Sequence, residues 1–91
     1  MQKALAARPA FPEALNSLGI LYFLTGRPEE AKRSLQESIR VAPNYEQSYL
    51  DLAKVYALQG DKAEARKALE QLLKIQPDQA QAQKALEDLS Q

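Results

Sequence analysis

Two pairs of adjacent carboxylates, Glu29-Glu30 and Glu87-Asp88, are the residues whose type could support acid–base chemistry. Consecutive positions on a helix point in different directions, so neither pair converges on a single proton. Their structural role as solvated groups that complement a helix terminus fits better. The basic cluster Lys62, Arg66 and Lys67, echoed by Lys32 and Arg33, could touch phosphates, but Glu64 and Glu70 are interspersed and cancel the field. Tyr45 and Tyr49 could stack a ligand or wedge between structural units. The three glycines are isolated, so there is no phosphate-cradling loop. Histidine and cysteine are absent, which removes imidazole bases, thiolate nucleophiles, nitrogen and sulfur metal ligands and disulfides. These residues predict no enzyme, with no catalytic, metal or cofactor-binding side chain and no cofactor. A chain without cysteine suits any redox compartment, so composition leaves its location open.

The elements that would position these side chains are bounded first by size and charge. At 91 residues the chain is one small domain with a modest core, so stability must come from well-matched local packing. Twelve Lys+Arg balance twelve Asp+Glu, which predicts no pull toward nucleic acid or anionic lipid. No apolar run approaches the roughly 20 residues of a membrane span. The longest, 18–24, is interrupted by Gly19.

Pro9, Pro43 and Pro77 recur at a spacing of 34 residues. Sliding 12–45 onto 46–79 pairs Leu18 with Leu52, Tyr22 with Tyr56, Leu24 with Leu58, Gly26 with Gly60, Glu30 with Glu64, Ala31 with Ala65, Leu35 with Leu69 and Pro43 with Pro77. Eight identities in 34 positions exceed the roughly two or three that average composition gives. The chain therefore carries a duplicated unit.

Cap chemistry divides each unit into two helices. Gly26 and Gly60 stand where a first helix ends, because glycine enters the left-handed region without penalty. Asp61 with Glu64 predicts a capping box, and Pro28 with Glu29 and Glu30 predicts the equivalent start one unit earlier. Pro43 and Pro77 end the second helices, with Asn44 and Asp78 expected to restart the chain. These signals predict a short helix near 1–8 and helices near 12–25, 28–41, 46–59, 62–75 and 78–90. The short connections require antiparallel neighbours. Leu15, Leu18, Leu21 and Tyr22 are expected to face Ala31, Leu35, Ser38 and Ile39. Gly19 and Ala53 are the small residues at the helix crossing, with Ala31 and Ala65 opposite them.

The chain resembles the tetratricopeptide repeat family, whose signature runs large residue, L-G, Y, A, aromatic or Leu, A and P at fixed offsets. The first unit supplies Leu15, Leu18, Gly19, Tyr22, Ala31, Leu35, Ser38 and Pro43. The second supplies Tyr49, Leu52, Ala53, Tyr56, Ala65, Leu69, Leu72 and Pro77. The usual Trp is missing, Leu replaces an aromatic at Leu35 and Leu69, and Ser38 and Leu72 stand where alanine is usual. The resemblance implies an all-α fold, a right-handed superhelical array of antiparallel helix pairs. Repeats would occupy 12–45 and 46–79, residues 1–11 would end a preceding repeat of a longer protein, and 80–91 would form a C-terminal capping helix beginning near 78. In that last helix Gln83, Glu87 and Ser90 take signature places, leaving Leu86 and Leu89 to face inward.

The resemblance also implies that first helices line a concave face that binds a protein or peptide. The candidate partner-binding residues there are Ile20, Phe23 and Leu50 as an apolar strip, flanked by Asn16, Asp51 and Lys54. Each could instead pack between helices. Co-chaperones of this family grip carboxylates with Lys and Asn. At the matching places this sequence has Asn16, Ile20, Asp51, Gln81 and Ala85, so acidic chaperone tails are not the expected ligand. A segment with apolar character, extended or helical, is. Two alternatives stand beside this scaffold reading: homo-oligomerisation through the edge of helix 12–25, and a regulatory or targeting domain of a larger enzyme.

Overall fold

The computed structural model describes residues 11–90. They form α1 (Pro12–Leu24), α2 (Pro28–Val41), α3 (Glu46–Leu58), α4 (Lys62–Ile75) and α5 (Ala80–Leu89). The expected helix near 1–8 lies outside the described residues. Each helix packs antiparallel on the next, and α1 also lies against α3, which makes an all-α array of helix pairs.

The two turns inside the pairs are built identically. Gly26 and Gly60 both have φ +83°, the left-handed conformation expected of them. Arg27 N donates to Tyr22 O at 2.8 Å and Asp61 N to Tyr56 O at 2.9 Å, while the glycine N–H groups bond Phe23 O and Ala57 O. These bonds satisfy carbonyls that the helix ends would otherwise orphan. The side-chain caps differ: in the first turn the Thr25 hydroxyl donates to Leu21 O at 3.0 Å, and only the second turn has a side-chain N-cap, with Glu64 N donating to Asp61 Oδ1 at 3.3 Å. The reciprocal half of the expected capping box is absent, because Asp61 N is already engaged by Tyr56 and Glu64 pairs with Lys67 instead. Pro28 opens α2 without a side-chain cap.

The turns between pairs differ from expectation. Asn44 and Asp78 sit inside tight turns closed by Tyr45 N donating to Ala42 O and Gln79 N to Gln76 O. The N-cap positions are therefore Tyr45 and Gln79, one residue later. Gln79 Oε1 accepts from Ala82 N at 2.9 Å, which starts α5 at residue 80 rather than 78. Tyr49 braces the first of these turns, its hydroxyl donating to Pro43 O at 2.8 Å. Burial pushes the Tyr49 phenol above its ordinary range.

The core lies where α2, α3 and α4 meet, around Leu35, Leu52, Val55, Leu69 and Leu72. Each such leucine contributes about 1.5–3 kcal/mol by leaving water. The small residues act as expected, since a Cβ on Gly19 would stand 2.7 Å from Leu35 Cγ and 3.2 Å from Ala31 O. Leu18 and Leu21 depart from the expected inward face, being 38% and 56% exposed. Their counterparts Leu52 and Val55 are buried because α2 lies over that side of α3, with Ile39 beside Leu52. At the other end Leu86 and Leu89 lean on the core, while Gln83, Glu87 and Ser90 are exposed.

Candidate functional site

The face shared by α1, α3 and α5 contains two junctions that occupy equivalent places, one repeat apart. The first is polar. Ser38 from α2 lies 2.6 Å from Ser48 of α3, Ser48 Oγ donates to Asn16 Oδ1 at 3.1 Å, and Asn16 Nδ2 donates to Asp51 Oδ2 at 2.8 Å. Gln47 Nε2 donates to the other carboxylate oxygen of Asp51 at 3.0 Å, and the Ser38 hydroxyl donates to Pro12 O at 3.1 Å. All four core members of this network are buried. Their hydrogen bonds offset the desolvation that buried polar groups would otherwise suffer.

The second junction is apolar. At the offset of 34, Asn16 becomes Leu50, Ser38 becomes Leu72, Ser48 becomes Ala82 and Asp51 becomes Ala85. No hydrogen bond can draw these side chains together, and α5 approaches α3 less closely than α3 approaches α1. Between α3 and α5 lies a cavity of about 340 Å³ open to solvent. Leu50, Ala53, Ala57, Ala85 and Leu89 give it apolar walls, with Leu69 beneath. Lys54 and Asp88 stand on its walls, both exposed. Among the described residues neither belongs to an ion pair.

A tetratricopeptide repeat family model matches residues 12–78. The chain belongs to the tetratricopeptide repeat family. A solved structure titled "Crystal structure of MamA" is similar over 97% of this chain and 57% of that one, with 26% identity and a TM-score of 0.78. The chain thus spans little more than half the length of that protein. Among curated proteins none matches. Tetratricopeptide repeats generally mediate protein–protein interaction and are generally not enzymes.

The structure separates the six residues singled out as partner-binding. Leu50 and Lys54 line the cavity. Asn16 and Asp51 are 8% and 6% exposed and bonded to each other, so their polar groups are engaged inside the array. Phe23 is half-buried against the core cluster, and Ile20 is half-buried on α1. Sequence reasoning had not singled out Ala57, Ala85, Asp88 and Leu89 as site residues. The signal for Ala57 was present in the repeat alignment, where an aromatic residue in one unit faces alanine in the next.

The remaining chemistry is spent locally. Lys32 pairs with Glu29 at 3.2 Å, and Lys67 pairs with Glu64. Arg40 pairs with Glu37, and the guanidinium holds that carboxyl below its ordinary range. Among the described residues no three His, Cys, Asp or Glu side chains gather as a metal site, and no helix is long and apolar enough to cross a membrane.

Proposed function

We propose that the chain is a scaffold that binds a peptide or protein segment on its concave face, in the groove between α3 and α5. The observation that carries this reading is the open apolar cavity with exposed Lys54 and Asp88 at its walls, neither of them in an ion pair among the described residues. A cleft with apolar walls and a few polar groups is what a folded chain offers to a ligand segment. Leu50 and Lys54 are proposed to touch the partner, with Ile20 extending the surface. Asn16, Asp51 and Phe23 then shape the face rather than contact the ligand. In this reading α5 supplies one wall of the groove through Ala85, Asp88 and Leu89.

Selection of random displayed peptides against the purified chain tests the proposal. Lys54→Glu changes only an exposed charge, so its helical circular dichroism should match the parent. Selected peptides are expected to bind the parent and to lose affinity to Lys54→Glu by about tenfold, roughly 1.4 kcal/mol. Undiminished binding to Lys54→Glu removes the site from this groove.

Self-association is a second reading, favoured by one observation. Leu18, Leu21 and Leu24 on α1 are 38%, 56% and 73% exposed. A strip of this kind on one helix suits a copy of the same chain. Sedimentation over a range of concentrations decides it, and a monomer at all concentrations dismisses it.

A further inference from the structure

The cavity between α3 and α5 has an equivalent place one repeat earlier, where the chain sets an aromatic side chain of its own. Position 57 is alanine, while the equivalent position 23 is phenylalanine, half-buried against the core cluster. Around position 57 the opposing wall is also trimmed, because Ala85 stands where the first junction has Asp51. The absence of an aromatic ring from Ala57, and of a bridging hydrogen bond between Leu50 and Ala85, leaves the cavity of about 340 Å³.

We infer that this cavity is an anchor pocket for one bulky aromatic side chain of a partner polypeptide, which takes the place that Phe23 takes in the first repeat. The inference rests on the groove between α3 and α5 being the binding site. The walls add a charge requirement. Lys54 on α3 and Asp88 on α5 carry opposite charges on the same cavity, and neither is paired among the described residues. The complementary ligand is therefore a peptide whose aromatic residue has an acidic neighbour toward Lys54 and a basic neighbour toward Asp88. Asp51, which also borders the cavity, is nearly buried, and both its oxygens already accept hydrogen bonds from Asn16 and Gln47. The buried ring supplies affinity, and the two exposed charges fix its orientation.

The closing experiment fills the pocket from inside. Ala57→Phe copies the first repeat into the second, and Ala85→Leu narrows the same space from α5 should the first variant lose its helical signal. Peptides selected on the parent chain are expected to share a Phe, Tyr or Trp with an acidic and a basic residue nearby. Fluorescence anisotropy should show their affinity falling by more than about tenfold on the filled variant, with thermal stability unchanged or raised. Selected peptides without a bulky aromatic residue overturn the inference. So does undiminished binding to a folded, filled variant. If Lys54→Glu still weakens that binding, the groove is the site and only the anchor is wrong. If neither change matters, the groove itself is wrong, and a selection that yields no peptide rejects both. A parent dimer that Ala57→Phe dissociates assigns the pocket to a second copy of the chain and overturns the partner peptide.

Discussion

The two junctions of this array bring together equivalent helices, one repeat apart, and fill the space between them with opposite chemistry. Between α1, α2 and α3, Ser38, Ser48, Asn16 and Asp51 form one hydrogen-bonded chain. Between α3, α4 and α5, all four positions are Leu or Ala. The polar set ties α1 to α3 across the front face, and Phe23 packs against the core beside it. The apolar set seals the interior equally well, with Leu72 and Ala82 fully buried, but cannot bridge the front. The comparison shows how one repeat can be closed and its neighbour left open without a change of fold. It also gives each junction a distinct identity. A half-polar pairing of Ser38 with Ala82, or of Asn16 with Ala85, would leave buried donors without partners.

The largest way to break that comparison is to mix the two sets. Asn16→Leu alone removes the donor to the nearly buried Asp51 carboxylate and the acceptor for Ser48. The expected loss is about 2–3 kcal/mol, read as a lower urea midpoint at constant slope. Converting all four positions to the second junction's residues (Asn16→Leu, Ser38→Leu, Ser48→Ala, Asp51→Ala) should recover most of that loss, because no buried polar group is then orphaned. A fourfold variant as unstable as the sum of its single changes would show that the network is not a coupled unit.

A smaller effect tests the crossing of the paired helices. At Gly19 an added Cβ would overlap Leu35, which is fully buried and has little room to retreat. Overpacking costs about 1–3 kcal/mol, and the better helix propensity of alanine returns at most about 1 kcal/mol. Gly19→Ala should therefore lower stability, although Ala53 occupies the same place in the second pair without strain. The reverse change, Ala53→Gly, should also destabilise, by about 1 kcal/mol, through helix propensity. Equal melting temperatures for Gly19→Ala and the parent would show that the first crossing relaxes freely.

Much of this arrangement was legible from spacing and cap residues. The 34-residue period, the two left-handed glycines and the proline turns dictate local backbone geometry, so the helix bounds follow within about two residues. The close approach at Gly19 was legible too, because small residues recur at one offset. What sequence could not resolve was which polar residues on the front face are spent. Asn16 and Asp51 have the chemistry of ligand-binding groups, and only their mutual distance reveals that they satisfy each other. The exposure of Leu18 and Leu21 escaped notice for a related reason. Burial of those offsets depends on a helix outside the pair, as Leu52 and Val55 show by being covered. The cavity depends on a difference between repeats, whereas the search for a repeat rewards what they share.

The finest test concerns the outer side, where the two pairs again diverge at equivalent positions. The ammonium of Lys32 on α2 lies 5.1 Å from the centre of the Tyr56 ring on α3, and its side chain is only 17% exposed. Arg66 holds the same place on α4, but the residue equivalent to Tyr56 is Ser90, so no ring lies at the matching position of the second pair. Lys32→Met keeps the aliphatic stem and removes the charge, and should cost about 0.5 kcal/mol. Arg66→Met should leave the urea midpoint unchanged. The exposed partner Glu29 contributes little to the difference, since such pairs contribute about 0–1 kcal/mol and weaken with salt. A double-mutant cycle with Tyr56→Leu isolates the ring. If Lys32→Met costs as much without the ring as with it, the charge acts through Glu29 alone, and the two pairs do not differ on this side.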